Sequence, residues 1–479
     1  MTSRQRAPWL FLAFLALALL ALLGMGAVQR QRDFLTRGIP EGLPEPVAHG
    51  GVRPGVNVYL QNDPEPAVTL REVREAGFQA VKQPFFYPGS AEEVDWALSD
   101  QIVAAAHEAG VTLVPLLDGD PADDFAPPED FADFAAWAGA FAARYGAQID
   151  AYFIWDEPNL TSHWGLQPVN PRAYAALLSA AAAAIRAADA GAVIVAAPLA
   201  PTVETGPENL SEPLFLRELY EGGAADAFDV VAAKPYGFDS SPLDRTVDAD
   251  VLNFSRAVLV RETMVAYGDG DKAVWAGNFG WNALPDGWSG MPSIWGEVDE
   301  ATQAQYTAEA LDRAREEWPW MGLVFLENWE PAAPPDDPRW GFSVAGRPAL
   351  AALQESAVEA VAYPGFHFPT PGEPAQAYAG AWEFSPEYGA DVGASGDSAE
   401  LTFWGTDVGL SIRRAGYQAR FYVTVDGEPA NALPRDENGA ALVLSAPDYD
   451  EDYVSLVPVA RGLEPGVHTL RLVADGGGD

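Results

Sequence analysis

Residues 151–159 read Ala-Tyr-Phe-Ile-Trp-Asp-Glu-Pro-Asn. A short apolar run passes directly into two acids and a proline. Such a run, without polar alternation, is the pattern of a strand buried on both faces. The same unit recurs on either side of it, at 56–60, 78–85, 111–117, 193–198, 230–236, 273–280 and 322–329. Longer amphipathic stretches between these runs fit helices at 66–76, 94–109, 131–145, 171–189, 213–222, 250–267, 300–317 and 347–357. Gly77 and Gly110 stand where a helix ends on glycine, and Asn170-Pro171 suits a helix start. Eight strand–helix units over 55–357 predict an α/β fold, a (β/α)8 TIM barrel. A doubly wound open sheet competes, but no glycine-rich nucleotide fingerprint follows the first strand.

The flanks read differently. After Arg4 and Arg6 comes an uncharged, mostly apolar run from Ala7 to Val28, long enough to span a bilayer. Residues 1–29 are therefore expected to be a signal anchor or a signal peptide, with the extreme N-terminus inside and the rest extracytoplasmic. Residues 30–54 form a Pro/Gly linker, and 358–375 a Pro-rich one. From 376 to 479 short alternating strands follow, at 399–405, 419–425, 441–445 and 467–474, with a turn at Asp426-Gly427. They predict a β-sandwich, expected to lack a closing strand before the final Gly-Gly-Gly-Asp.

Composition narrows the function. Acids outnumber bases 69 to 28 over 479 residues, a net charge of −41, which repels nucleic acid. The absence of cysteine removes disulfides, thiolate metal sites and a thiol nucleophile, and five scattered histidines make no metal cluster. The basic residues are arginines except for Lys82, Lys234 and Lys272.

Catalytic groups of a (β/α)8 barrel sit at the C-terminal ends of its strands. At the fourth strand end, Ile154-Trp155-Asp156-Glu157-Pro158-Asn159 resembles the I-W-N-E-P-N of clan A glycoside hydrolases, notably families 5 and 39. The resemblance extends to Phe279-Gly280-Trp281 and to Trp340-Gly341-Phe342, and covers most of 55–357. It implies that Glu157 is the general acid/base. It also implies a nucleophilic glutamate at the end of strand seven, where this chain has Asn278. An amide cannot form the glycosyl ester, so retaining hydrolysis is in question at this position. Three more departures from the pattern fall nearby. Asp156 replaces the asparagine that contacts the sugar, Lys82 replaces an arginine, and Lys234 replaces the histidine of H-P-Y, whose Pro235 and Tyr236 remain.

Lys82 and Lys234 are expected to pair with Asp156 and Glu157, keeping both acids ionised. That points to a pseudoenzyme that binds glycans, with hydrolysis through Asp156, Glu327 or Glu330 as the alternative. Structural ion pairing of the lysines is the plainer reading of the same residues. Trp155, Trp281 and Trp329 are expected to line the substrate cleft, with about half of a wider set that includes Trp164, Trp288, Trp295 and Trp340. The sandwich resembles galactose-binding-like carbohydrate modules at Thr402–Thr406 and Tyr422–Gly427. The expected partner is a neutral carbohydrate, with membrane attachment through the N-terminal segment and no metal or cofactor.

Overall fold

The computed structural model describes residues 47–91, 94–285, 287–356, 361–362, 367–369, 375–385, 389–416, 419–446, 452–464 and 466–476. The apolar run Ala7–Val28 lies outside them. Among the described residues no helix is long and apolar enough to cross a membrane.

Eight parallel strands close into a barrel in sequence order. They are β1 (Arg53–Asn57), β2 (Ala80–Phe86), β3 (Thr112–Asp118), β4 (Ala151–Ile154), β5 (Val193–Ala196), β6 (Val230–Ala233), β7 (Ala273–Phe279) and β8 (Met321–Leu326). The surrounding helices are α1 (Pro66–Glu75), α2 (Ala97–Ala109), α3 (Phe131–Tyr145), α4 (Pro171–Ala188), α5 (Glu212–Glu221), α6 (Ala257–Ala266), α7 (Glu300–Glu317) and α8 (Pro348–Ser356). Local chemistry sets their ends. Asp130, Asn170 and Asp299 each accept a backbone N–H of the first turn, and left-handed Gly110 stops α2. The stretch 250–267 is helical only from Phe254, because Arg256 binds the carbonyls of Asp248, Ala249 and Val251 and holds them out of a helix.

Two apolar layers result. Val114, Phe153, Val195, Trp275 and Phe325 fill the barrel, while a larger cluster packs the strands against the helices. The end of the N-terminal linker closes the barrel floor, where His49 O accepts from Trp275 Nε1 at 3.0 Å.

The C-terminal strands are antiparallel, β9 (Gln376–Ala379), β10 (Trp382–Ser385), β11 (Gly389–Val392), β12 (Ser398–Gly405), β13 (Val408–Arg414), β14 (Ala419–Val425), β15 (Glu428–Pro429), β16 (Arg435–Asp436), β17 (Gly439–Val443), β18 (Tyr453–Ala460) and β19 (Gly466–Gly476). The main sheet runs β16-β17-β14-β19-β12-β9, and β13 pairs with β18 in a second sheet. Val459 and Ala460 of β18 share a core with Phe403, Val423 and Leu470 of the main sheet. Ala362, in the Pro-rich linker, bonds to both Thr402 and Trp404 of β12.

Candidate active site at the barrel mouth

The fourth strand does not continue its pleat. Ala151 and Phe153 face the barrel interior, so an unbroken strand would send Trp155 inward as well. Instead Trp155 adopts φ 70° and its ring joins the outer layer, edge-on to Phe134 and Trp164. The reversal turns Asp156 and Glu157 toward the barrel axis. Glu157 is itself left-handed, with φ 45°. Two such non-glycine residues cost roughly 1–3 kcal/mol each, and strain of this kind gathers at working sites.

β7 is also irregular. Ala276 pairs with Val324 and Phe279 with Leu326, so three steps on β7 answer two on β8. This bulge re-aims Asn278 into the barrel, as bulges beside active sites do. On β8 the inward order Leu323, Phe325 delivers Glu327 just beyond the strand end.

The inward polar groups form two connected clusters. In the first, Lys234 Nζ lies 2.9 Å from Asp156 Oδ1 and 2.7 Å from Glu157 Oε1, and Glu157 Oε2 lies 3.4 Å from His163 Nδ1. Burial works against the Lys234 ammonium, but Asp156, Glu157 and Glu327 outweigh it and hold the lysine above its ordinary range. Burial likewise opposes ionisation of Asp156, yet Lys234, Lys82 and His163 bring its carboxyl below the usual value. Asp118, at the end of β3, accepts the Asp156 N–H at 3.2 Å and the Gly119 N–H at 2.9 Å. Burial and then the Asp156 charge push Asp118 well above the usual carboxylate range.

In the second cluster Lys82 Nζ donates to Asn278 Oδ1 at 2.8 Å, and Asn278 Nδ2 donates to Glu327 Oε2 at 2.7 Å. Tyr236 OH donates to the same oxygen at 2.6 Å. Burial raises the Glu327 carboxyl above its ordinary value, against the pull of Lys234, Tyr236 and Asn278. Burial also lowers Lys82 to about 8. Its ammonium stands 5.2 Å from the Phe153 ring centroid, a cation–π contact that stabilises part of the buried charge.

The structure therefore brings Asp156, Glu157, Lys82, Lys234, Tyr236 and Asn278 to one mouth. Two expectations need correction. Lys82 pairs with the Asn278 amide rather than with Asp156 or Glu157, because it lies within β2, opposite Val114 and Asn57, and reaches β7 first. Trp155 and Trp281 are fully buried, so neither offers a ring face to a sugar. Trp155 Nε1 donates to His163 O, and Trp281 Nε1 to Ser240 O, each anchoring a loop. Trp329 is 7% exposed and packs edge-on against Phe78, and Trp164 is buried too. Trp288, Trp295 and Trp340 keep part of their surface at the rim. Asp118 went unrecognised in the sequence, although an acid one residue past an apolar run was its visible signal.

No family model matches the chain, and no curated protein matches it. Solved structures do. A family 39 glycoside hydrolase from the gut symbiont Bacteroides cellulosilyticus WH2 aligns over 90% of this chain and 83% of its own, at 15% identity and a TM-score of 0.51. A glucosidase from Croceicoccus marinus aligns over 91% of this chain and 98% of its own, at 13% identity and a TM-score of 0.48. Thermotoga maritima Cel5A, solved with mannotriose, aligns over 63% of this chain and 97% of its own, at 14% identity and a TM-score of 0.41. The first of these shares the fold of the present chain, in line with the (β/α)8 barrel expected from the sequence.

Proposed function

We propose that this chain is an extracytoplasmic, glycan-acting protein of the glycoside-hydrolase barrel type, with Glu157 as its acid/base. One observation carries the reading. Asp156 and Glu157 after β4, Lys234 and Tyr236 after β6, Asn278 on β7 and Glu327 after β8 converge at the C-terminal mouth, where barrel chemistry is done. Glycoside hydrolysis needs a pair of carboxyl groups, and the mouth holds more than one. Rim residues Trp288, Trp295 and Trp340 supply aromatic faces for sugar C–H groups. The acidic surface disfavours polyanions, so the substrate class is a neutral glycan. The run Ala7–Val28 supplies the membrane attachment or export signal.

The test is a glycan array together with a hydrolysis screen on 4-nitrophenyl glycosides and neutral polysaccharides. Wild type should bind and hydrolyse at least one member, and Glu157→Gln should lose hydrolysis while keeping binding. Neither binding nor hydrolysis would overturn the reading. For location, deletion of residues 1–29 should move the protein from the membrane or exported fraction to the cytoplasm; an unchanged distribution would contradict it.

A second reading, a glycan-binding pseudoenzyme, is favoured by the Lys234 bridge across Asp156 and Glu157 and by the amide at 278. It predicts binding without turnover in the wild type.

A further inference from the structure

We propose that Glu327, at the end of β8, is the reacting carboxylate opposite Glu157, in place of the residue that β7 would supply. The inference rests on the glycan-acting reading above and names the group that forms the bond to the sugar.

Among the described residues Glu327 is held through one oxygen only. Both donors, Tyr236 OH and Asn278 Nδ2, bond Oε2 at 2.6 and 2.7 Å. No described residue bonds Oε1. A carboxylate fixed by one oxygen presents the other in a set direction, which an attacking group requires. Glu212 shows the contrast within the same chain. It is also buried, but Arg256 binds both of its oxygens, at 2.8 to 3.1 Å, and it serves only to tie elements together. Glu327 has no cation within ion-pair distance among the described residues, so its burial at 6% exposure is not explained by a structural pair.

The side chain at 278 complements that carboxylate. Lys82 is a donor only, so it fixes Oδ1 of Asn278 as the acceptor and turns Nδ2 toward Glu327. An acid at 278 would instead set a second carboxylate against Glu327, and the two would repel. The amide at 278 is thus the complement of a carboxylate at 327. The change at β7 and the presence of Glu327 on β8 are two parts of one arrangement. The β7 bulge completes it, because without the extra residue Asn278 would face away from the barrel.

The protonated form of Glu157, which takes its proton from solvent before the step, gives that proton to the glycosidic oxygen while the bond from that oxygen to the anomeric carbon breaks. A lone pair of Glu327 Oε1 forms the new bond to the anomeric carbon, and the aglycone leaves as an alcohol. Water then attacks the same carbon, Glu157 takes the water's proton, and Glu327 departs as a carboxylate. The sum is glycoside plus water giving sugar plus alcohol, with the anomeric configuration retained.

The test uses the full chain and the same probes as the screen above. Wild type should hydrolyse a probe with retained configuration by proton NMR. Glu327→Gln should lower kcat by roughly 1,000-fold or more at an unchanged melting temperature. Glu327→Ala should regain turnover with added azide and release a glycosyl azide of opposite configuration, a result that a merely destabilised variant cannot give. Hydrolysis that survives Glu327→Gln, or a folded Glu327→Ala that azide does not rescue, overturns the inference and leaves the glycan reading intact. Glycan binding without wild-type turnover, or inverted product, overturns it too. Absence of both binding and turnover removes the underlying reading.

Discussion

Lys82 carries its charge against a neutral partner, and that has a measurable consequence. The unfolded chain holds the proton up to about 10.5, whereas burial brings the folded value to about 8. Between these values the unfolded state binds more protons, so stability rises with pH across that window. The wild type should gain about 3 kcal/mol relative to Lys82→Met from pH 8 to 10.5, read from urea unfolding at each pH. A flat difference would show that the ammonium is not penalised. Tyr236 offers a second test at this scale. Its hydroxyl orients Glu327, so Tyr236→Phe should lower kcat by roughly 10- to 100-fold with little change in KM, the worth of one hydrogen bond to a charged group. A changed KM with unchanged kcat would assign the hydroxyl to substrate binding instead.

At the scale of elements, the barrel strands were readable because burial on both faces leaves a run of apolar residues, and helix ends because Asp130, Asn170 and Gly110 carry their own signals. The site was less readable because it depends on departures from regular structure. An alternating pleat puts Trp155 in the cleft and Asp156 outside, and the left-handed turn at Trp155 inverts both. The β7 bulge similarly decides where Asn278 points, and a bulge has no periodicity to detect. The partner of Lys82 is hidden for a related reason: charge pattern suggests carboxylate partners, while position within β2 selects an amide. Trp281 illustrates how tightly these loops are packed. A Cβ on Gly237 would lie 1.8 Å from Trp281 Cε2. Gly237→Ala should therefore cost about 2 kcal/mol or more by displacing that ring, visible as a lower melting temperature. Melting at the wild-type temperature would show that the loop yields freely.

Over the whole molecule, a net charge of −41 sets repulsion between surface carboxylates against folding. Raising KCl from about 0.05 M to about 1 M should raise the melting temperature by several degrees as the charges are screened. A fall would mean that surface ion pairs such as Arg144–Asp100 and Arg413–Asp452 dominate instead. The mouth keeps its lysines buried and bonded to side chains of the site itself, so salt screens these contacts less than the surface pairs. Its chemistry can therefore be probed on the intact chain. The attacking carboxylate proposed above stands at the end of the eighth strand instead of the seventh. Incubation with a 2-deoxy-2-fluoro glycosyl fluoride of a hydrolysed sugar, followed by peptide mapping, locates the attacking residue directly. A single sugar adduct on Glu327 itself, localised by fragmenting the peptide that carries it, is expected. An adduct on Asp156, Glu157 or Glu330, or full turnover of the reagent with no adduct, would contradict it.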